Sequence, residues 1–104
     1  MIKKSILGNK AVAPVSPKNY TFDKIKNKNS DSNFLIRLTV PEFTSICPVT
    51  NQPDFALIVI DYTPDSWIVE SKSFKLYIHS FRNYGIFHEE VTLLIGKSLH
   101  EQLK

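Results

Sequence analysis

The sequence predicts an α+β domain in which a sheet is laid down first and a pair of helices follows. Three observations carry this reading. Two segments rich in β-branched and aromatic residues, "FLIRLTV" (34–40) and "FALIVIDY" (55–62), come first. Two segments with apolar residues at helical spacing follow them. The length of 104 residues suits one domain. Hydrophobic residues make up 42% of the chain and aromatics 12%, enough for a core, but a small one. Two strands do not make a stable sheet alone, so an exposed edge completed by oligomerisation is expected.

Taken in order, residues 1–30 are rich in Lys, Asn, Ser and Pro and read as a basic, irregular N-terminal arm, with residues 31–104 as the folded domain. The first strand covers 34–40, and Pro41 is expected to end it. Residues 41–54 carry three prolines and polar turn formers and read as a structured loop, in which Asn51 suits left-handed backbone geometry. The run at 55–62 reads as a buried strand, and "TPDS" as a turn. "WIVE" then leads into "SKSFKLYIHSFRNYG". Here Phe74, Tyr77, Ile78 and Phe81 lie on one helical face, with Ser71 or Ser73 as the cap and Gly85 as the breaker. The second helix, "HEEVTLLIGKSLHEQLK", opens on Glu89 and Glu90, which suit its first turn. Leu93, Leu94, Leu99 and Leu103 supply its apolar positions.

Charge and cysteine content narrow the setting. Residues 1–30 hold seven lysines and one acid, whereas residues 31–104 hold six basic and nine acidic residues. Such an arm is either a solvated terminus or a site for phosphates or nucleic acid. The single cysteine cannot form an intramolecular disulfide, which suits a reducing cytoplasm. No apolar run approaches the ~18 residues of a membrane span, and Gly8, Asn9 and Lys10 interrupt the weak signal-like start, so neither membrane insertion nor export is expected.

Few residues carry chemistry. Cys47, followed by Pro48, is either a small apolar residue or a nucleophile, with Asp54 seven positions on as its acid. A carboxyl in partly apolar surroundings is expected to hold and deliver a proton. In "FHEE", His88 and Glu89 stand at the mouth of a helix. Glu89 either complements the helix dipole or accepts donors from a guanine-like edge. In "ESKSFK", Lys72 and Lys75 beside Ser71 and Ser73 form either a phosphate-binding patch or an ordinary solvated face. His79 and His100 have no metal-ligand spacing with Cys47 or each other, so no metal site is expected. With three glycines there is no dinucleotide fingerprint. Trp67, Tyr62 and Tyr77 read as core or interface residues.

Together "PEFTSICPVTNQPDFA", "VESKSFKLY" with the following "SFRNYG", and "FHEE" occur in an order that resembles the NADPH-dependent 7-cyano-7-deazaguanine reductases of the short, single-module kind. The resemblance spans about residues 38–90. It implies the tunnelling fold (T-fold), in which antiparallel sheets and paired helices of several copies close into a homo-oligomeric ring with active sites between subunits. It implies reduction of the nitrile of 7-cyano-7-deazaguanine to an amine on the route to queuosine in tRNA, with NADPH as cofactor and no direct contact with nucleic acid. By the same resemblance Cys47 forms a thioimide and Asp54 protonates the nitrogen. Glu89 and His88 bind the base, Val69, Glu70 and Ser71 line its pocket, and Ser71 with Lys72 reaches the NADPH phosphates. Two departures accompany it. Asn51 stands where Gly is usual, and two strands carrying an Arg-Gly pair toward NADPH are expected after the second helix, beyond Lys104. The alternatives are a truncated or degenerate non-catalytic copy, or a GTP cyclohydrolase I-like enzyme. The latter needs a zinc site of cysteines and histidine that one cysteine does not supply.

Overall fold

The computed structural model describes residues 16–104, so the start of the basic arm, residues 1–15, lies outside the described residues. The elements run β1 (Lys24–Lys26), β2 (Ile36–Ile46), β3 (Pro53–Tyr62), β4 (Trp67–Val69), α1 (Ser71–His79) and α2 (His88–Gln102). They form two antiparallel pairs, β2 with β3 and β1 with β4, and two helices, which is the expected α+β class.

β2 and β3 form a long hairpin, with Ile36 opposite Tyr62 and Ile46 opposite Pro53. The sequence reading ended the first strand at Pro41. Instead the strand runs on to Ile46, because Pro41 falls where the register slips between Val40 and Phe43. At such a bulge an unpaired residue is required, and a residue without an N–H loses no ladder bond. Arg37 and Asp61 face each other across the hairpin with two bonds, 2.7 and 2.9 Å.

The expectation of a buried strand at 55–62 holds for one face only. Alternate residues of β3 turn inward (Ala56, Ile58, Ile60, Tyr62), while Phe55, Leu57 and Val59 are 75%, 63% and 50% exposed. Exposed apolar strips of this kind are a common feature of interaction surfaces.

The second strand pair was not foreseen. Lys24–Lys26 lies within the stretch read as an irregular arm, yet it pairs with Trp67–Val69, and Phe22 beside it is 3% exposed. Asn27 closes this corner: its side chain donates to the Asp65 carbonyl at 2.9 Å and its N–H to that of Ser66. Lys24 holds its ammonium 4.8 Å from the centre of the Trp67 ring.

The helices cover the inner face of the hairpin. α1 buries Ser73, Phe74, Tyr77 and Ile78, and α2 buries Val91, Ile95 and Leu99. Leu93, expected among the core positions, is 75% exposed; Val91 and Ile95 hold the inward positions. At the centre Phe22, Tyr77, Phe81 and Phe43 form a chain of tilted and edge-on rings with centroids 4.8–5.4 Å apart. The cap of α1 is neither Ser71 nor Ser73. Glu70 accepts from the N–H groups of Lys72 and Ser73, each at 2.9 Å, and so satisfies two amides that a serine would satisfy singly.

A cysteine loop and a basic helix start as the candidate active site

The first cluster is built at the far end of the β2–β3 hairpin. Residues 47–52 make the connection. Cys47 donates its N–H to Gln52 at 2.9 Å, and its carbonyl accepts from Asn51 at 2.8 Å. Asn51 has φ 57°, the left-handed conformation anticipated for it. Cys47 is partly exposed. The neighbouring Thr50 hydroxyl and the Thr50 and Val49 amides favour the charged form of its sulfur. These donors hold the thiol below its usual range, against the opposing effects of desolvation and the Asp54 carboxylate.

The start of α2 is brought to the same place by the backbone. Ile46 donates to Tyr84 at 3.0 Å and accepts from Ile86 at 3.1 Å, which bridges the end of β2 to Gly85. Two residues beyond Ile86, His88 sets Nε2 3.9 Å from Oδ2 of Asp54, and Glu89 follows, exposed, in the first turn of the helix. Cys47, Asp54, His88 and Glu89 are thus carried by one end of the molecule.

The second cluster surrounds the start of α1. Val69 and Glu70 are 5% and 4% exposed, and both carboxylate oxygens of Glu70 are spent on the helix cap. Ser71 and Lys72 are exposed. Behind them Ser73 Oγ accepts from the Asp23 N–H at 2.8 Å and lies 3.2 Å from the Tyr20 hydroxyl. The Lys72 and Ser73 amides are already engaged by Glu70, which leaves the Ser71 hydroxyl and the Lys72 ammonium as the exposed polar groups of this helix start.

The two clusters do not meet within one chain. The start of α2 lies beside Asp54. Its other end is fastened to the second cluster's corner, where Gln102 accepts from the Phe22 N–H at 2.8 Å and donates to the Tyr20 carbonyl at 2.9 Å. The 15 residues of α2 span about 22 Å, which sets the scale of the separation.

Two residues near the cysteine were not singled out from the sequence. Thr50, in the Cys47 turn, favours the charged form of the sulfur. Ser45, opposite Asp54 on the hairpin, is fully buried and its hydroxyl has no hydrogen-bond partner among the described residues. Nothing in the sequence marks a threonine in a turn or a serine in a strand for such places. A cavity of 650 Å³ lies between β2 and α1, lined among others by Val40, Phe74, Lys75 and Arg82, and Cys47 is not part of its lining. A cavity of 510 Å³ runs between β3 and α2 and reaches His88. Among the described residues no His, Cys, Asp and Glu group is placed to hold a metal ion, and no helix is long and apolar enough to cross a membrane.

Comparison with known proteins places residues 53–104 in a match to the family described as QueF-like protein. A protein of Bradyrhizobium sp. strain BTAi1 is 57% identical over 98 residues, covering 94% of this chain and 62% of its own length. One of Methylocella silvestris is 59% identical over 95 residues, covering 91% of this chain and 62% of its own length. One of Bradyrhizobium diazoefficiens is 51% identical over 105 residues, covering all of this chain and 69% of its own length. Each of the three is named NADPH-dependent 7-cyano-7-deazaguanine reductase. The chain spans about three fifths of the length of the first two.

Proposed function

Because the chain belongs to the QueF-like protein family, we propose that it acts in the NADPH-dependent reduction of 7-cyano-7-deazaguanine to 7-aminomethyl-7-deazaguanine, a step toward queuosine. The observation that carries this reading is the placement of Cys47: on a closed loop, at the same end as Asp54 and His88, with its thiol held below the usual range. That is the arrangement of a thiolate nucleophile with an acid at hand.

In this reading the Cys47 sulfur bonds to the nitrile carbon. The Asp54 carboxylate takes the proton the thiol gives up, one π electron pair of the triple bond moves to nitrogen, and Asp54 passes that proton on to it, giving a thioimide. The step is useful because a nitrile is a poor hydride acceptor and a thioimide a better one. NADPH, when bound, supplies hydride, two being needed to reach the amine, and the carbon–sulfur bond breaks between the two so that Cys47 is returned as a thiolate. His88 steadies the Asp54 carboxylate between proton transfers. Glu89, exposed at the helix start, accepts from the donor edge of the deazaguanine, with His88 beside it.

The remaining residues complete the site from the other cluster. Val69 is a wall of the base pocket, and Glu70, by capping α1, fixes the direction in which Ser71 points. Ser71 and Lys72 hold the NADPH phosphates. Since ~22 Å of helix separates these residues from Cys47, the reading joins the cysteine end of one copy to the α1 start of another. The exposed Phe55, Leu57 and Val59 strip is consistent with burial in such an assembly. The architecture this implies is the T-fold ring, in the cytoplasm, with the small molecule and further copies of the chain as partners.

Nitrile-dependent NADPH oxidation tests the proposal. Activity lost in Cys47→Ala and in Asp54→Asn is expected; nitrile reduction persisting in Cys47→Ala contradicts it.

A further inference from the structure

We propose that Ser45 is a positioning residue for Asp54: its buried hydroxyl is the donor that takes hold of the Asp54 carboxylate and fixes it beside Cys47. The register of the hairpin is the first support. Ser45 stands directly opposite Asp54, as Phe43 stands opposite Ala56. Past the bulge, Phe43 and Ser45 are buried, while Thr44 between them is only partly covered. On β3, Asp54 and Ala56 are partly covered, while Phe55 between them is exposed. Ser45 and Asp54 therefore share the inward face of the sheet. Directly opposed side chains of an antiparallel pair have Cβ atoms about 4.5–5.5 Å apart. At that spacing a hydroxyl and a carboxylate meet through a change of χ1.

The state of the hydroxyl is the second. Ser45 is 0% exposed, and its Oγ has no hydrogen-bond partner among the described residues. Buried hydroxyls are nearly always bonded, because an unbonded one has given up water without return. An alanine would fill the same place without that cost. Phe43 and Ala56, next along the inward face, offer the hydroxyl no acceptor. The Asp54 carboxylate is the acceptor that the register sets before it. From α2, His88 Nε2 faces that carboxylate at 3.9 Å, longer than a hydrogen bond, and Glu89 follows His88 in the exposed first turn. From the loop, Cys47 faces it as a like charge once ionised. Held from the buried side by Ser45, the carboxylate keeps one oxygen for the proton it exchanges. The purpose of this contact rests on the reductase reading, but its test does not need the nitrile.

Cys47 is the only cysteine, so alkylation by iodoacetamide, followed by mass over a range of pH, reports it alone. A carboxylate bonded to a hydroxyl repels the thiolate less than a bare one. Ser45→Ala is therefore expected to move the midpoint of the alkylation profile upward and slow alkylation at neutral pH by roughly threefold. In an Asp54→Asn background the same substitution should change nothing, so the two effects do not add. The denaturation midpoint of Ser45→Ala should stay or rise, since the variant loses a buried hydroxyl without a partner. An unmoved alkylation midpoint in Ser45→Ala overturns the inference. So does an equal shift in the Asp54→Asn background, which would mean that the hydroxyl serves the sulfur directly. A lowered denaturation midpoint overturns it too, as the mark of a purely structural hydroxyl. Coupling of Ser45 to Asp54 in a protein that forms no adduct with the nitrile keeps this inference and rejects the reductase reading. A nitrile adduct without that coupling does the reverse.

Discussion

The Asp54 carboxylate acts on Cys47 in a direction that is open to measurement. It raises the thiol's pKa by repulsion, so Asp54→Asn should shift the alkylation profile of Cys47 downward and speed alkylation below neutral pH. The same substitution should abolish nitrile reduction, because the amide has no proton to give. Reactivity toward an alkylating agent and turnover therefore move in opposite directions, which mere loss of structure does not produce. Glu70 gives a second case. Removing its side chain in Glu70→Ala leaves the Lys72 and Ser73 amides without their partners. A loss of about 1–2 kcal/mol is expected, read as a lower denaturation midpoint at an unchanged slope. Cys47, Asp54 and His88 were legible in the sequence because their residue types carry chemistry. The Glu70 cap was not, because a glutamate before two serines is overlooked in favour of residues that cap more often. The effect of Thr50 on the cysteine was not, because it depends on how the loop turns.

Among the elements, β1 shows most clearly what pattern reading misses. The three residues Lys24–Lys26 are too few to show a periodicity, and their strand exists because Trp67–Val69 supplies a partner and Phe22 an anchor in the core. Phe22→Ala should accordingly cost about 3 kcal/mol or more in chemical denaturation, far above the near-zero effect expected for a residue of a loose arm. β2 was legible in its first half and lost at Pro41, where the rule that proline stops a strand gives way at a bulge. β3 was legible as a strand, but its continuous apolar run hid the fact that one face stays open within the chain. Leu57→Asp tests that face. It should leave the chain's own fold intact, by circular dichroism, and weaken self-association in analytical ultracentrifugation.

For the whole molecule, the α+β class and the two helices followed from strand-like segments preceding helical ones. The placement of the functional residues did not, since sequence order says nothing about which end of a helix each motif occupies. The structure puts the Cys47 cluster and the Ser71–Lys72 cluster at opposite ends of α2. If the two halves of a site come from different copies, NADPH oxidation per chain should fall on dilution through the range in which the assembly dissociates, and added protein should restore it. The most direct measurement is the intact mass of the chain after mixing with 7-cyano-7-deazaguanine in the absence of NADPH. The account predicts an added mass equal to one nitrile molecule, absent from Cys47→Ala. An unchanged mass in the associated protein, or an adduct that survives in Cys47→Ala, would contradict it.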